Sequence, residues 1–214
     1  IMKIDLAGSK KRGLAMGLNE FAGYAAVAAS AWATGYIASQ YSLRPEPFYL
    51  GIVYVTLGLL LSVFLVKETK KHADFEAIST PKWQRTILSQ KEFFKMTSFT
   101  DRNLSSVTQA GFVNNLNDGM AWGLFPILFS VQKFDLTQIG LLAALYPATS
   151  GLLQLWTGHL SDLWGRKWMI ASGMWVQGIG IAIVAMGSAF TEFAIGSFLL
   201  GVGTAMVYPT LLAA

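Results

Sequence analysis

Between Gly111 and Pro126 the sequence reads Gly-Phe-Val-Asn-Asn-Leu-Asn-Asp-Gly-Met-Ala-Trp-Gly-Leu-Phe-Pro, three amides and one carboxyl inside an otherwise apolar stretch. At about 100° per residue of helix, Asn114, Asn117 and Asp118 share one face and Asn115 lies toward its edge. A single polar face on an apolar helix implies a water-filled cavity or a polar neighbour, because a polar group in hydrocarbon is costly unless it meets protein or water. Asp118 at such a depth can take up and release a proton or hold a solute. The competing role for it and for the asparagines is a hydrogen-bonded knot that fixes helix packing.

Glu20 is the other acid in an apolar run, about 10 Å along its helix from Gly13. It can exchange protons or bind a cation, or it can pair with Lys11 or Arg12. Tyr146 and Tyr208 each precede a proline, Pro147 and Pro209, that removes a backbone hydrogen bond and is expected to bend its helix. Both hydroxyls are candidates to face a cavity. Enzyme chemistry finds little footing. The two histidines, His72 and His159, have no metal-ligand partner at useful spacing, no phosphate loop or nucleophile elbow is present, and the absence of cysteine removes thiolate chemistry. No cofactor and no metal site is expected.

The elements that must carry these residues follow from composition. With 53% hydrophobic and 13% charged residues in 214, the chain has too little polar surface for a water-soluble domain. Six apolar stretches, near 13–38, 48–66, 107–131, 138–157, 168–186 and 192–214, each approach the roughly 20 residues that cross a hydrocarbon core about 30 Å thick. The expected fold class is all-α, a polytopic membrane protein. If the loops alternate sides, fourteen of the sixteen lysines and arginines fall on one side and only Arg44 and Lys133 on the other. Basic residues favour the cytoplasmic side, so the first span runs from the cytoplasm outward. The net charge of +4 therefore reads as topology and contact with the lipid bilayer, with no nucleic-acid partner.

Two spans lack such polar features. Phe48 to Val66 has no charge, amide or proline and belongs at the periphery. The stretch 168–186 has Gln177 as its main polar residue, and its Gly173, Gly178, Gly180 and Ala182 point to close helix packing, as do Gly13 and Gly17 in the first span.

One segment is more specific than any of these. Gly158-His-Leu-Ser-Asp-Leu-Trp-Gly-Arg-Lys167 is a charged, glycine-bounded turn between two apolar runs. It resembles the loop signature of the major facilitator superfamily of secondary transporters, roughly Gly-x-Leu-small-Asp-basic-aromatic-Gly-Arg-basic. Gly158, Leu160, Ser161, Asp162, Gly165, Arg166 and Lys167 match, Trp164 supplies the aromatic, and Leu163 stands where the family prefers a basic residue. The resemblance implies a two-lobe fold of twelve helices, of which this chain would be a fragment covering the fifth to tenth. It starts at Ile1 in what resembles the tail of an earlier membrane helix and stops at Ala214 inside an apolar run. Residues 1–66 would then end the amino-terminal lobe, 67–104 would form the cytoplasmic linker, and 105–214 would begin the carboxy-terminal lobe. In the linker, Trp83, Ile87 and Phe94 fall near one helical face, as in an amphipathic helix at the membrane surface; a flexible charged tether is the alternative.

The same resemblance makes 107–131 a cavity-lining seventh helix and places Tyr208 on a cavity-lining tenth. It also brings the loop holding Asp162 close to the start of the fifth helix, near Arg12 and Gly13, when the cytoplasmic side is closed, so that Gly158, Asp162, Gly165, Arg166, Lys167 and Arg12 form a gate. Drug and proton antiporters usually carry a Gly-Pro pair in their fifth helix, whereas Gly23-Tyr24 stands here, which argues against drug antiport. The function implied is movement of a small-molecule solute across a bacterial inner (plasma) membrane by alternating access, coupled to protons through a carboxyl. An uncoupled facilitator and a non-transporting receptor or scaffold of the same fold remain open.

Overall fold

The structure, a computed structural model, describes residues 12–65 and 89–213; the side chain of Arg12 and the linker residues Trp83 and Ile87 lie outside the described part. Six long helices account for the apolar stretches: α1 (Arg12–Gln40), α2 (Glu46–Phe64), α4 (Arg102–Val131), α5 (Leu136–Trp164), α6 (Arg166–Met186) and α7 (Phe190–Ala213), with a short α3 (Gln90–Lys95) between α2 and α4. Among the described residues there is no strand. By length and composition α2, α5, α6 and α7 are apolar enough to cross a membrane. At 29 and 30 residues, α1 and α4 are long enough too, but they carry the polar residues of the site.

Local chemistry explains the boundaries. Asp101 caps α4, its Oδ1 accepting from the backbone N–H of Asn103 and of Leu104 at 2.9 Å each, so the helix starts at Arg102, ahead of the expected 107. Asp135 and Gln138 form a reciprocal capping box at the start of α5. Ser89 and Glu92 do the same for α3, and the hydrogen bonds from Ser89 hold the exposed Glu92 carboxyl below its usual range. A π-helical turn, Met96–Thr100, then leads toward Asp101, leaving Phe93, Phe94 and Phe99 exposed.

The expected ten-residue turn at 158–167 is not a loop. Helix α5 continues through it to Trp164 and α6 begins at Arg166, so the reversal occurs at Gly165 alone, with φ 92°. A residue without Cβ adopts this backbone at little cost, which allows two helices to meet with one residue between them.

Packing is dominated by α1 along α5, α6 along α7, and α5 against α7. The first pair is a glycine seam. A Cβ on Gly35 would sit 2.7 Å from Gly140 Cα, and one on Gly13 or Gly17 would run into the carbonyls of Gly158 and Gln154 at the opposite end. Gly173 and Gly180 allow the same close approach to α7, but Gly178 and Ala182 face outward and take no part in it. The apolar core gathers toward the far end of the bundle, where Phe125 and Phe129 of α4 meet Leu142 of α5 and Phe193 of α7. Helix α2 buries none of its residues, in keeping with a peripheral span.

Described basic residues stand at both ends of the bundle. Ser39 accepts a hydrogen bond from Thr137 at 2.8 Å beside the loops bearing Arg44 and Lys133, whereas Arg102, Arg166 and Lys167 gather at the other end.

Candidate functional site

Besides its apolar contacts at Phe125 and Phe129, helix α4 is joined to the rest of the bundle by polar contacts midway along its length. Asp118 is the centre of the first set. Its Oδ1 accepts from the Tyr146 hydroxyl of α5 and its Oδ2 from the Tyr24 hydroxyl of α1 at 3.1 Å, so one carboxylate ties three helices together. The aromatic rings around it meet edge-on: Tyr24 with Tyr146 at 6.3 Å, Tyr24 with Tyr208 at 6.0 Å, and Trp122 with Tyr146 at 6.1 Å between centroids. This geometry sets the negative faces of some rings against the positive edges of others.

About one helical turn nearer the Arg102 end lies the second set. Asn117 Nδ2 donates to Gln177 Oε1 at 2.8 Å, while Gln177 Nε2 donates to Asn114 Oδ1 at 2.8 Å and to Thr204 Oγ1 at 3.2 Å. Asn114, Gln177 and Thr204 are fully buried. The network binds α4 to α6 and α7 through amides and a hydroxyl, a form of interhelical hydrogen bonding suited to hydrocarbon, where apolar contact alone gives helices little reason to associate. One buried donor, Asn114 Nδ2, has no partner among the described residues.

The structure thus brings together Asp118, Asn114 and Asn117 on the expected face. Asn115 points outward and its Nδ2 donates to the Gly111 carbonyl of its own helix at 2.8 Å, because one position off the seam is enough to turn the amide away from the neighbours. Tyr146, 3% exposed, holds Asp118, while Tyr208 reaches the cluster through its ring contact with Tyr24. Gln177 is the hub of the amide network, although its span looked bland. Tyr24 has no signal in the sequence, since a tyrosine among alanines carries no periodicity, and only the register of α1 against α5 aims it at Asp118. Glu20 accepts from Asn19 at 2.9 Å, and its expected pairing with Lys11 or Arg12 falls outside the described residues.

At the signature end, Gly13 N–H donates to Asp162 Oδ1 at 3.2 Å. Amides in the first turn of a helix have no acceptor within it and carry partial positive charge, so a carboxylate from α5 is favourably placed against α1. Gly158, buried, lets the helices touch there, and Ser161 Oγ donates to the Gly158 carbonyl at 2.8 Å. Arg166 and Lys167 open α6 beyond Gly165 and line a cavity with Arg102, with Lys167 Nζ 5.5 Å from the Trp168 ring centroid. Among the described residues no group of three His, Asp or Glu stands close enough to hold a metal ion.

With this geometry in view, comparison with known proteins is informative. The sequence profile of the Major Facilitator Superfamily matches residues 107–214, half of the chain. The Fosmidomycin resistance protein of Escherichia coli (strain K12) is 23% identical over 106 residues, which are 50% of this chain and 26% of that protein. The chain therefore spans about a quarter of that relative's length. No solved structure matches it.

Proposed function

The chain belongs to the major facilitator superfamily of membrane transporters, and from that premise we propose that it carries part of the central pathway of a secondary transporter moving a small solute by alternating access, coupled to protons. In this reading α1 and α2 are the fifth and sixth of twelve helices, residues 67–104 link two lobes at the cytoplasmic face, and α4 to α7 are the seventh to tenth. The setting is a bacterial inner membrane, as the Escherichia coli relative favours.

The observation that carries coupling is the Asp118 carboxylate between Tyr24 of α1 and Tyr146 of α5. An ionised carboxyl only accepts, and both tyrosines donate to it. On protonation one oxygen gains a donor and becomes a poorer acceptor, so the bond it receives from a tyrosine weakens. A hydrogen bond to a charged group contributes about 1.5–3 kcal/mol against about 0.5–1.5 for a neutral pair. Loading a proton thus weakens the tether between α1 and the α4–α5 side by about 1 kcal/mol, a severalfold bias at the boundary that has to open. The amide network behind it, Asn114, Asn117 and Gln177, offers both donors and acceptors for a solute.

The test uses the full-length protein in proteoliposomes, with a substrate taken from a screen that includes fosmidomycin because of the relative's name. Asp118→Asn should abolish accumulation driven by an imposed pH gradient and leave exchange of solute in place. A variant that accumulates solute uphill as well as its parent would make Asp118 a packing residue. That second reading rests on the fact that both oxygens already have protein partners, and it fits an uncoupled facilitator. Absence of any solute flux would instead favour a receptor or scaffold.

A further inference from the structure

Between the starts of α4 and α6, at the end that carries Gly165, lies a cavity of about 630 Å³ lined by Arg102, Arg166 and Lys167 together with Asn103 and Ser106. Among the described residues no acidic one lines it. The Ser106 hydroxyl is committed to the Arg102 carbonyl, so the hydrogen-bond donors free to meet a ligand are two guanidinium groups, an ammonium and an amide. Three cations without a counter-charge among the described residues form a site for an anion with several oxygens, and arginine forks suit phosphate.

The inner wall of this cavity, at Ala171, is also the start of a second one. An apolar trough of about 540 Å³ follows the outer face of α6 past Met174, Trp175, Gly178 and Ile179 to Ala182. A Cβ placed on Gly178 meets nothing within 4 Å, so the floor of the trough is open there. From Ala171 to Ala182 the helix rises about 16 Å at 1.5 Å per residue. That is close to the depth of one leaflet of a hydrocarbon core about 30 Å thick. Trp164 and Trp168, both exposed, flank the charged end as aromatic residues do at the interface.

We infer that Arg102, Arg166 and Lys167 with the α6 trough form a binding site for an acidic phospholipid, its phosphate on the cations and an acyl chain lying along Ala171 to Ala182. Free phosphate shares the headgroup chemistry but makes no use of the trough, and the combination of the two favours the lipid. The site is separate from the Asp118 cluster, so it stands whether or not that cluster couples protons.

The experiment measures how much phosphatidylglycerol stays with the full-length protein, relative to phosphatidylcholine, after extraction from bilayers containing both, by native mass spectrometry. Phosphatidylglycerol should be enriched on the parent. Arg102→Gln should cut that enrichment about fivefold, the change that corresponds to about 1 kcal/mol for each basic residue near an anionic surface. Gly178→Leu, which fills the trough and leaves every charge in place, should also reduce it, and Lys133→Gln at the opposite end should not. The Gly178 and Lys133 variants keep the test decisive even where Arg102→Gln fails to fold. No enrichment on the parent, or an equal loss with Lys133→Gln, overturns the proposal, including the case in which another segment of the protein fills the trough. Full displacement by inorganic phosphate with no effect of Gly178→Leu would identify a free-phosphate site and overturn it as well.

Discussion

Replacing Gly35 by alanine should open one end of the α1–α5 seam and leave the other intact. The added Cβ would lie 2.7 Å from Gly140 Cα, 3.0 Å from the Leu136 carbonyl oxygen and 3.3 Å from Gly140 N. All three are backbone atoms, so no side chain can swing aside and the helices themselves must separate. Alanine favours a helix over glycine by about 1 kcal/mol, but α1 is helical whether this end is open or closed, and that contribution cancels between the two states. What remains is the overpacking cost of the closed state, about 1–3 kcal/mol, or roughly a fivefold to hundredfold shift in population. The Thr137 to Ser39 hydrogen bond beside the contact would be lost with it. Spin labels at positions 43 and 133, in the two loops of this end, would report the change as a longer distance in double electron–electron resonance, while labels at 18 and 163 near the Asp162 end should report no opening. An unchanged distance between 43 and 133 would refute the argument that backbone contact at Gly35 holds this end shut.

Three other outcomes follow from the same structure. Asp162→Asn removes the charge facing Gly13 N–H and should shift the equilibrium toward opening at that end by about 0.3–2 kcal/mol, read as a longer distance between labels at 18 and 163; no change would make the contact incidental. Gln177→Leu strands the amides of Asn114 and Asn117 inside the bundle and should cost about 1–3 kcal/mol for each unsatisfied group, measured as a lower thermal unfolding midpoint in detergent; an unaltered midpoint would mean that the network contributes nothing. A cysteine at position 44 or 133 should react with an impermeant reagent added outside intact cells and one at position 164 should not, and the reverse pattern would invert the topology.

Six long helices and their order were legible in the sequence, four of them apolar enough to cross a membrane, because hydrocarbon imposes length and apolarity on each helix separately. The polar face of α4 was legible for the same reason: helical geometry alone puts Asn114, Asn117 and Asp118 on one side. The seven matches of 158–167 to the signature were enough to name the family. Asp162 was placed against Gly13 through the family resemblance, and the hydrogen bond between them agrees.

Partner choice was not legible, since it depends on the rotation and register of whole helices. One amide in an apolar span, Gln177, points into a network or out to lipid according to how α6 turns against α4 and α7, and the close approach that turns it inward is made by Gly173, Gly180 and Gly203 together. Gly178 and Ala182, equally small, end up on the outer face, because small residues permit contact without choosing which side makes it. Tyr24 reaches Asp118 only because the glycine seam fixes α1 along α5. The signature segment read as a turn because its residues are charged and bounded by glycines, yet a capped helix can continue through such residues until a backbone with positive φ stops it, which happens at Gly165. Sequence therefore determined which segments form long apolar helices and which faces are polar, properties of one helix at a time. Tertiary structure decided which polar groups meet, because a hydrogen bond between helices requires two registers to agree within about half an ångström, the reach that separates a bonded pair from an unbonded one.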